Sequence, residues 1–136
     1  MLTIQSRSHP YTVEPFPDLA EALGAVSFPA KCHYLVDRNL VELYPAQLRE
    51  GLPLERTVVL EATEAQKSFE ALAPVFLSLL ERGLKRDSNL VVIGGGILQD
   101  IGCFVASTFA RGIHWELLPT TLLAQADSCI GSKSSV

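Results

Sequence analysis

The chain is poor in the residue patterns that usually hold a metal or a disulfide. Its three cysteines, Cys32, Cys103 and Cys129, are odd in number, widely spaced and without a C-x-x-C. Each lies among apolar residues, so they read as buried free thiols rather than as ligands or nucleophiles. His9, His33 and His114 show no H-x-x-x-H or similar spacing, so each reads as a strand or loop residue and the chain's own residues offer no metal site. No basic run is longer than Lys85–Arg86 and the net charge is −4, which argues against a nucleic-acid surface. No apolar stretch approaches the ~18–20 residues of a membrane span, which argues against a membrane protein. The N-terminus, MLTIQSRSHP, has no signal-peptide core, which makes the cytoplasm the expected compartment. There is no internal repeat and no low-complexity linker. What remains is globular composition, 48% apolar and 19% charged, in 136 residues that fit one domain.

The most informative segment is Asn89–Asp100, NLVVIGGGILQD. An apolar run meets three consecutive glycines and then a helix-forming stretch, the pattern of a buried strand followed by a tight turn. Gly94, Gly95 and Gly96 lack a Cβ, so they can take positive φ and let a large anion touch the main chain. The helix that follows aims its N–H groups and positive dipole end at the same place. The physical reading is a pyrophosphate cradle, and the plain alternative is a glycine-rich turn between strand and helix. It is not the usual dinucleotide fingerprint: the third glycine of G-x-G-x-x-G falls on Gln99, and no acidic residue closes a second strand about 20 residues later.

Elements alternate along the chain. Leu2–Gln5 and Tyr11–Glu14 read as a short hairpin, and Asp18 caps a helix to Leu23 that Gly24 ends. His33–Val36 reads as a strand, Asn39–Arg49 as a helix and Thr57–Glu61 as a strand. Thr63-x-x-Gln66 is a capping-box pattern opening a helix whose apolar face is Phe69, Leu72, Ala73, Phe76 and Leu80, with a kink expected at Pro74. Asn89–Ile93 is a strand, Ile97–Ala110 a helix with Ile97, Ile101, Phe104, Val105 and Phe109 on one face, His114–Leu118 a strand and Thr121–Ile130 a helix. The alternation predicts an α/β fold, a parallel sheet with helices on both faces. Ligands of such sheets lie beyond the carboxyl ends of the strands, where the glycines and Pro119-Thr120-Thr121 both fall. The last residues, GSKSSV, resemble half of a phosphate loop, and the chain reads as an N-terminal piece of something longer.

Four blocks, TEAQKS at 63–68, GGGILQD at 94–100, FARG at 109–112 and PTTLLAQADSCIGSK at 119–133, resemble in order and spacing the N-terminal domain of the 3-dehydroquinate synthases, within the sugar-phosphate cyclases. The resemblance implies a Rossmann-like, NAD-binding first domain. It also implies a second, helical domain outside this chain that holds zinc or cobalt with a glutamate and two histidines. The implied reaction turns a sugar acid phosphate, 3-deoxy-D-arabino-heptulosonate 7-phosphate, into 3-dehydroquinate and phosphate, with NAD used transiently. A homodimer is implied, and this chain alone is expected to be inactive.

Carried over residue by residue, the resemblance places Asp37 at the adenosine end of NAD and Glu64 and Lys67 at its ribose and phosphate region. Gly95 and Gly96 would face the pyrophosphate, and Asp100, in the first turn of its helix, would lie near the nicotinamide. Thr120 and Thr121 match a nucleotide-binding pair, Asp127 an acceptor for a substrate hydroxyl, and Lys133 a cation shared by cofactor and substrate. Arg111 matches an arginine that reaches a substrate phosphate across the dimer interface. Read without the family, Glu64 and Lys67 are an ordinary i,i+3 ion pair, Thr120 and Thr121 a helix cap, and Arg111 a helix C-terminal cation. Gln99 and Ser132 stand where the synthases carry glycines, and Ser134-Ser135 where Thr-Gly or Thr-Ala is common. These departures keep open a sister cyclase acting on sedoheptulose 7-phosphate, a glycerol-dehydrogenase-like oxidoreductase and a non-catalytic NAD-binding module.

Overall fold

A computed structural model describes residues 1–5 and 10–130. His9 and the segment containing Ser132, Lys133, Ser134 and Ser135 lie outside the described residues.

The strands form where the apolar runs predict them. β1 (Leu2–Ile4) and β2 (Tyr11–Val13) make the expected antiparallel hairpin, with Thr3 opposite Thr12. α1 (Leu19–Gly24) starts at Asp18, whose side chain accepts from Glu21 N. The main sheet holds β3 (Cys32–Asp37), β4 (Thr57–Leu60), β5 (Asn89–Gly94) and β6 (His114–Pro119) in the order β4-β3-β5-β6, with every pairing parallel. β3 and β5 are buried at every residue, which explains the apolar runs at their centres, Tyr34–Val36 and Leu90–Ile93: both their faces are covered. Leu35, Leu90 and Val92 point to the layer of α4 (Phe69–Glu81) and α5 (Gly96–Thr108). Tyr34, Val36, Val91 and Ile93 point the other way, to Leu40 and Leu48 on α2 (Arg38–Leu43) and α3 (Pro45–Gly51). No helix among the described residues is long and apolar enough to cross a membrane.

The connections decide where a ligand can sit. The chain leaves β3 for β4 on one side, returns through α4 to β5 on the other side of β3, and continues outward to β6. β3 and β5 therefore flank the point where the winding direction reverses, the place at which doubly wound sheets open a crevice.

Several helix expectations need correction. The helix expected over Asn39–Arg49 is two helices, because Pro45 lacks an N–H and turns its predecessor Tyr44 out of helical geometry (ψ 50°). Thr63 makes no side-chain cap; it precedes only a 3₁₀ turn, Glu64–Gln66, and α4 is capped by Ser68, whose Oγ accepts from Ala71 N. α4 runs through Pro74 and buries Leu72, Val75 and Leu79, leaving Phe69 and Leu80 exposed, so the true apolar face is rotated from the expected one. α5 stops at Thr108, and Phe109–Arg111 follows as a 3₁₀ turn in which Ala110 is left-handed. The last helix is short and wound as a π-turn over Ala124–Ser128, a wide geometry often found at functional sites.

Candidate functional site at the carboxyl ends of the strands

Three strand ends meet around the glycines. A Cβ on Gly94 would lie 2.7 Å from Leu98 Cδ2 and 3.4 Å from the Cβ of Asp37, the last residue of β3. Gly94 O accepts from Thr120 N at 3.1 Å, which ties the end of β5 to the residue after β6. A Cβ on Gly95 would sit 3.1 Å from Thr121 Cγ2. At Gly96 the nearest atom would be Ser128 Oγ at 3.6 Å, an ordinary contact. None of the three glycines has a positive φ; among the described residues the glycines that do are Gly83 and Gly112. Their requirement is therefore close approach, strictest at Gly94 and Gly95, rather than backbone handedness.

The glycine turn leaves the start of α5 open. Gly95 is its N-cap and supplies no side-chain cap, and no acidic residue occupies the first turn. Its leading N–H groups and positive dipole end face the crevice beyond β3 and β5 without a competing carboxylate. An anion held there meets main chain on α5, while Asp37, at the neighbouring strand end, offers a carboxylate that suits a hydroxyl of the same ligand rather than the anion itself. Asp37 is buried and its Oδ1 accepts from Asn39 N at 2.9 Å, so that oxygen also caps α2.

Lys67, delivered by the turn after β4, reaches this rim. Its Nζ is 3.0 Å from Asp100 Oδ2 and 3.8 Å from Glu64 Oε2, so the closer partner is not the i,i+3 neighbour but a residue on α5. The hydrogen bond from Lys67 to Asp100 pushes the ammonium above the ordinary lysine range and keeps it charged. Asp100 is the fifth residue of α5, past the first turn, and Lys67 rather than the helix end is its direct partner.

The two threonines are partly committed within the chain. Thr120 N serves Gly94 O, and Thr121 Oγ1 accepts from Ala124 N at 3.2 Å, capping the segment that follows. Asp127 is exposed on the π-turn. Arg111 is not brought to this cluster: α5 carries the chain back to the amino ends of the strands, where Arg111 is exposed with φ 71°. Lys133 lies outside the described residues. No group of three or more His, Cys, Asp or Glu among the described residues could hold a metal ion.

Two features were missed by sequence reasoning, the bond from Ser128 to Gln99 and the close packing at Gly102. Gln99, 1% exposed, accepts from Ser128 Oγ at 2.8 Å. Gly102 lets α5 lie on β5, since a Cβ there would be 2.4 Å from Val92 Cγ2. Its signal was an isolated glycine inside an apolar helix pattern. The thiols match their reading as buried free cysteines at Cys32 and Cys103, while Cys129 is partly exposed. Burial pushes the Cys103 thiol up to about 11.

The model of the 3-dehydroquinate synthase N-terminal region matches residues 57–136, more than half of the chain, including the ends of β5 and β6 and the turn that carries Lys67. The chain belongs to the 3-dehydroquinate synthase family. The 3-dehydroquinate synthase of Thermoanaerobacter sp. (strain X514) is 35% identical over 141 aligned residues, covering 99% of this chain and 40% of the relative. That of Thermococcus kodakarensis is 38% identical over 120 residues, covering 88% and 34%. The chain thus spans about two fifths or less of the length of these family members. In fold it is similar to a 2-epi-5-epi-valiolone synthase from Streptomyces hygroscopicus subsp. jinggangensis 5008, solved with NAD+ and Zn2+ bound, with a TM-score of 0.70 and 24% identity over 93% of this chain and 39% of the other. A 2-deoxy-scyllo-inosose synthase, solved with carbaglucose-6-phosphate, NAD+ and Co2+, gives a TM-score of 0.62 at 20% identity over 80% of this chain and 32% of that one. The family's Rossmann-like α/β architecture is therefore that of this chain.

Proposed function

We propose that this chain is the NAD-binding part of a 3-dehydroquinate synthase, the enzyme that converts 3-deoxy-D-arabino-heptulosonate 7-phosphate to 3-dehydroquinate and phosphate in the shikimate pathway. The observation that carries the reading is the glycine turn at Gly95, uncapped and closely packed at the point where the sheet's winding reverses. The residues fit the cofactor: Gly95, Gly96 and the start of α5 suit its pyrophosphate, Asp37 its adenosine ribose, and Lys67 the phosphate region beside Glu64. NAD, when bound, supplies reversible removal of hydride from a secondary alcohol. The chain's own work is orientation and charge placement. Asp100 lies on the same rim and holds Lys67 in position. Thr120 and Thr121 close the turn over Gly94 and Gly95. Asp127 accepts from a substrate hydroxyl, Lys133 pairs with its anionic groups, and Arg111 serves the phosphate in a second copy of the protein. The described residues do not supply a metal-binding set, so no metal step is assigned to them, and the 136-residue chain alone is expected to show no turnover.

The test is phosphate release by the complete gene product given NAD, zinc and 3-deoxy-D-arabino-heptulosonate 7-phosphate. Rapid release without net NADH supports the reading. No release from a folded protein that binds NAD transfers the proposal to a sister cyclase, for which the likeness in fold to the valiolone synthase and the bulk of Gln99 speak. Net NADH from a polyol would instead mark a glycerol-dehydrogenase-like oxidoreductase.

A further inference from the structure

Gln99 is the fourth residue of α5, and the two ends of its buried amide fare differently. Oε1 accepts from Ser128 Oγ at 2.8 Å, whereas Nε2 is buried and finds no acceptor among the described residues. As mere filling this is a poor choice: methionine has the same reach and leaves no stranded donor. A residue kept at a cost to stability is commonly one whose bond is used for function. The bond that Gln99 does make leads to Ser128, the last residue of the π-turn and the immediate neighbour of Asp127.

Among the described residues, that turn is seated on α5 chiefly by Ala124 and by the bond from Ser128 to Gln99. Leu122 and Leu123 are exposed, Asp127 is exposed, and Ala124 is its buried anchor. Gln125 Nε2 donates to Pro119 O at 3.3 Å and Tyr11 OH to Ile130 O at 2.5 Å, which hold the segment to β6 and to the hairpin. Ser128 Oγ lies over the first turn of α5, within contact of the position a Cβ on Gly96 would take and bonded to Gln99. We propose that Gln99 is a positioning residue: through Ser128 it fixes where Asp127 stands relative to the amino end of α5, and so where a substrate hydroxyl lies relative to the cofactor. This rests on the function proposed for Asp127.

The experiment compares Gln99→Met, Ser128→Ala and the double variant in the complete gene product. The expected result has four parts. Gln99→Met melts no lower than the parent, because the stranded donor is gone. Both single variants exchange the Ala124–Ser128 amides faster. Both lose about tenfold in kcat/KM, mainly through KM, while NAD affinity by calorimetry stays within about twofold. The double variant is no worse than either single one, since all three lack the same bond. Unchanged amide exchange in both single variants, additive losses in the double variant, or a lower Tm for Gln99→Met would overturn the assignment. A parent protein that neither binds NAD nor turns over would sink the functional reading instead, and the exchange data would still decide whether Gln99 seats the turn. Failure of Gln99→Met to fold counts as the lowered Tm and overturns the assignment, and Ser128→Ala, which removes the same bond from a half-buried site, tests the seating of the turn independently.

Discussion

Lys67 Nζ lies 3.0 Å from Asp100 Oδ2, a bridge between the turn after β4 and the helix that begins at the glycines. It joins two residues 33 positions apart and brings the rim of the crevice together. Lys67→Met is expected to cost under about 1 kcal/mol of stability, because both side chains are partly exposed and solvent screens the pair. It should weaken NAD binding about tenfold, the worth of one charge-assisted contact. Urea unfolding and calorimetry separate the two effects, and equal losses in both would count against a role at the cofactor.

The same pair sets a pH dependence. Lys67 is raised above its ordinary 10.5 by the hydrogen bond to Asp100 first, so its contribution to stability is complete below the unfolded value and is lost as pH rises through the higher folded one. The Tm gap between the parent and Lys67→Met should therefore be constant from about pH 7 to 9 and close above about pH 10.5. A gap that closes near neutral pH would contradict the assignment.

Gly102→Ala should destabilise. The added methyl would lie 2.4 Å from Cγ2 of the fully buried Val92, and overpacking of about 1–3 kcal/mol outweighs the ~1 kcal/mol helix gain of alanine over glycine. A net loss of up to about 2 kcal/mol is expected from chemical denaturation. A stabilised variant would show that α5 can move off β5 at little cost.

Ser68→Ala should remove about 1 kcal/mol by uncapping α4, whereas Thr63→Ala should change stability by less than about 0.5 kcal/mol. The reverse ranking in urea melts would restore the capping box at Thr63.

Cys103, 8% exposed and pushed up to about 11 mainly by burial, should resist alkylation at neutral pH, since only on the order of one molecule in ten thousand carries its thiolate. Mass spectrometry after iodoacetamide treatment of native protein should find Cys103 unlabelled while the denatured chain is labelled throughout.

Much of this fold is legible in the sequence because burial on both faces forces apolar runs, as in β5 and the centre of β3. The break at Pro45 was equally legible, since a proline and its predecessor constrain each other locally, but the amphipathic pattern on either side masked it. The cap of α4 was misplaced because Thr63 and Ser68 are both good caps, and packing against β4 and β5, not local preference, chooses between them. At the site, the glycines were legible as residue types at a strand end, and Asp37 through the family resemblance. The Lys67–Asp100 and Gln99–Ser128 contacts were not, because they depend on which helices the parallel register brings side by side.

The account stands most directly on titration calorimetry of NAD into the complete gene product and its Gly95→Ala variant. The added methyl would stand 3.1 Å from Thr121 Cγ2, in the gap between the turn and the start of the next segment. One-to-one binding to the parent and binding at least about tenfold weaker in the variant, with folding intact by circular dichroism, is the predicted result. Absence of NAD binding in the parent, or equal affinity in both proteins, would contradict a cofactor cradle at this turn.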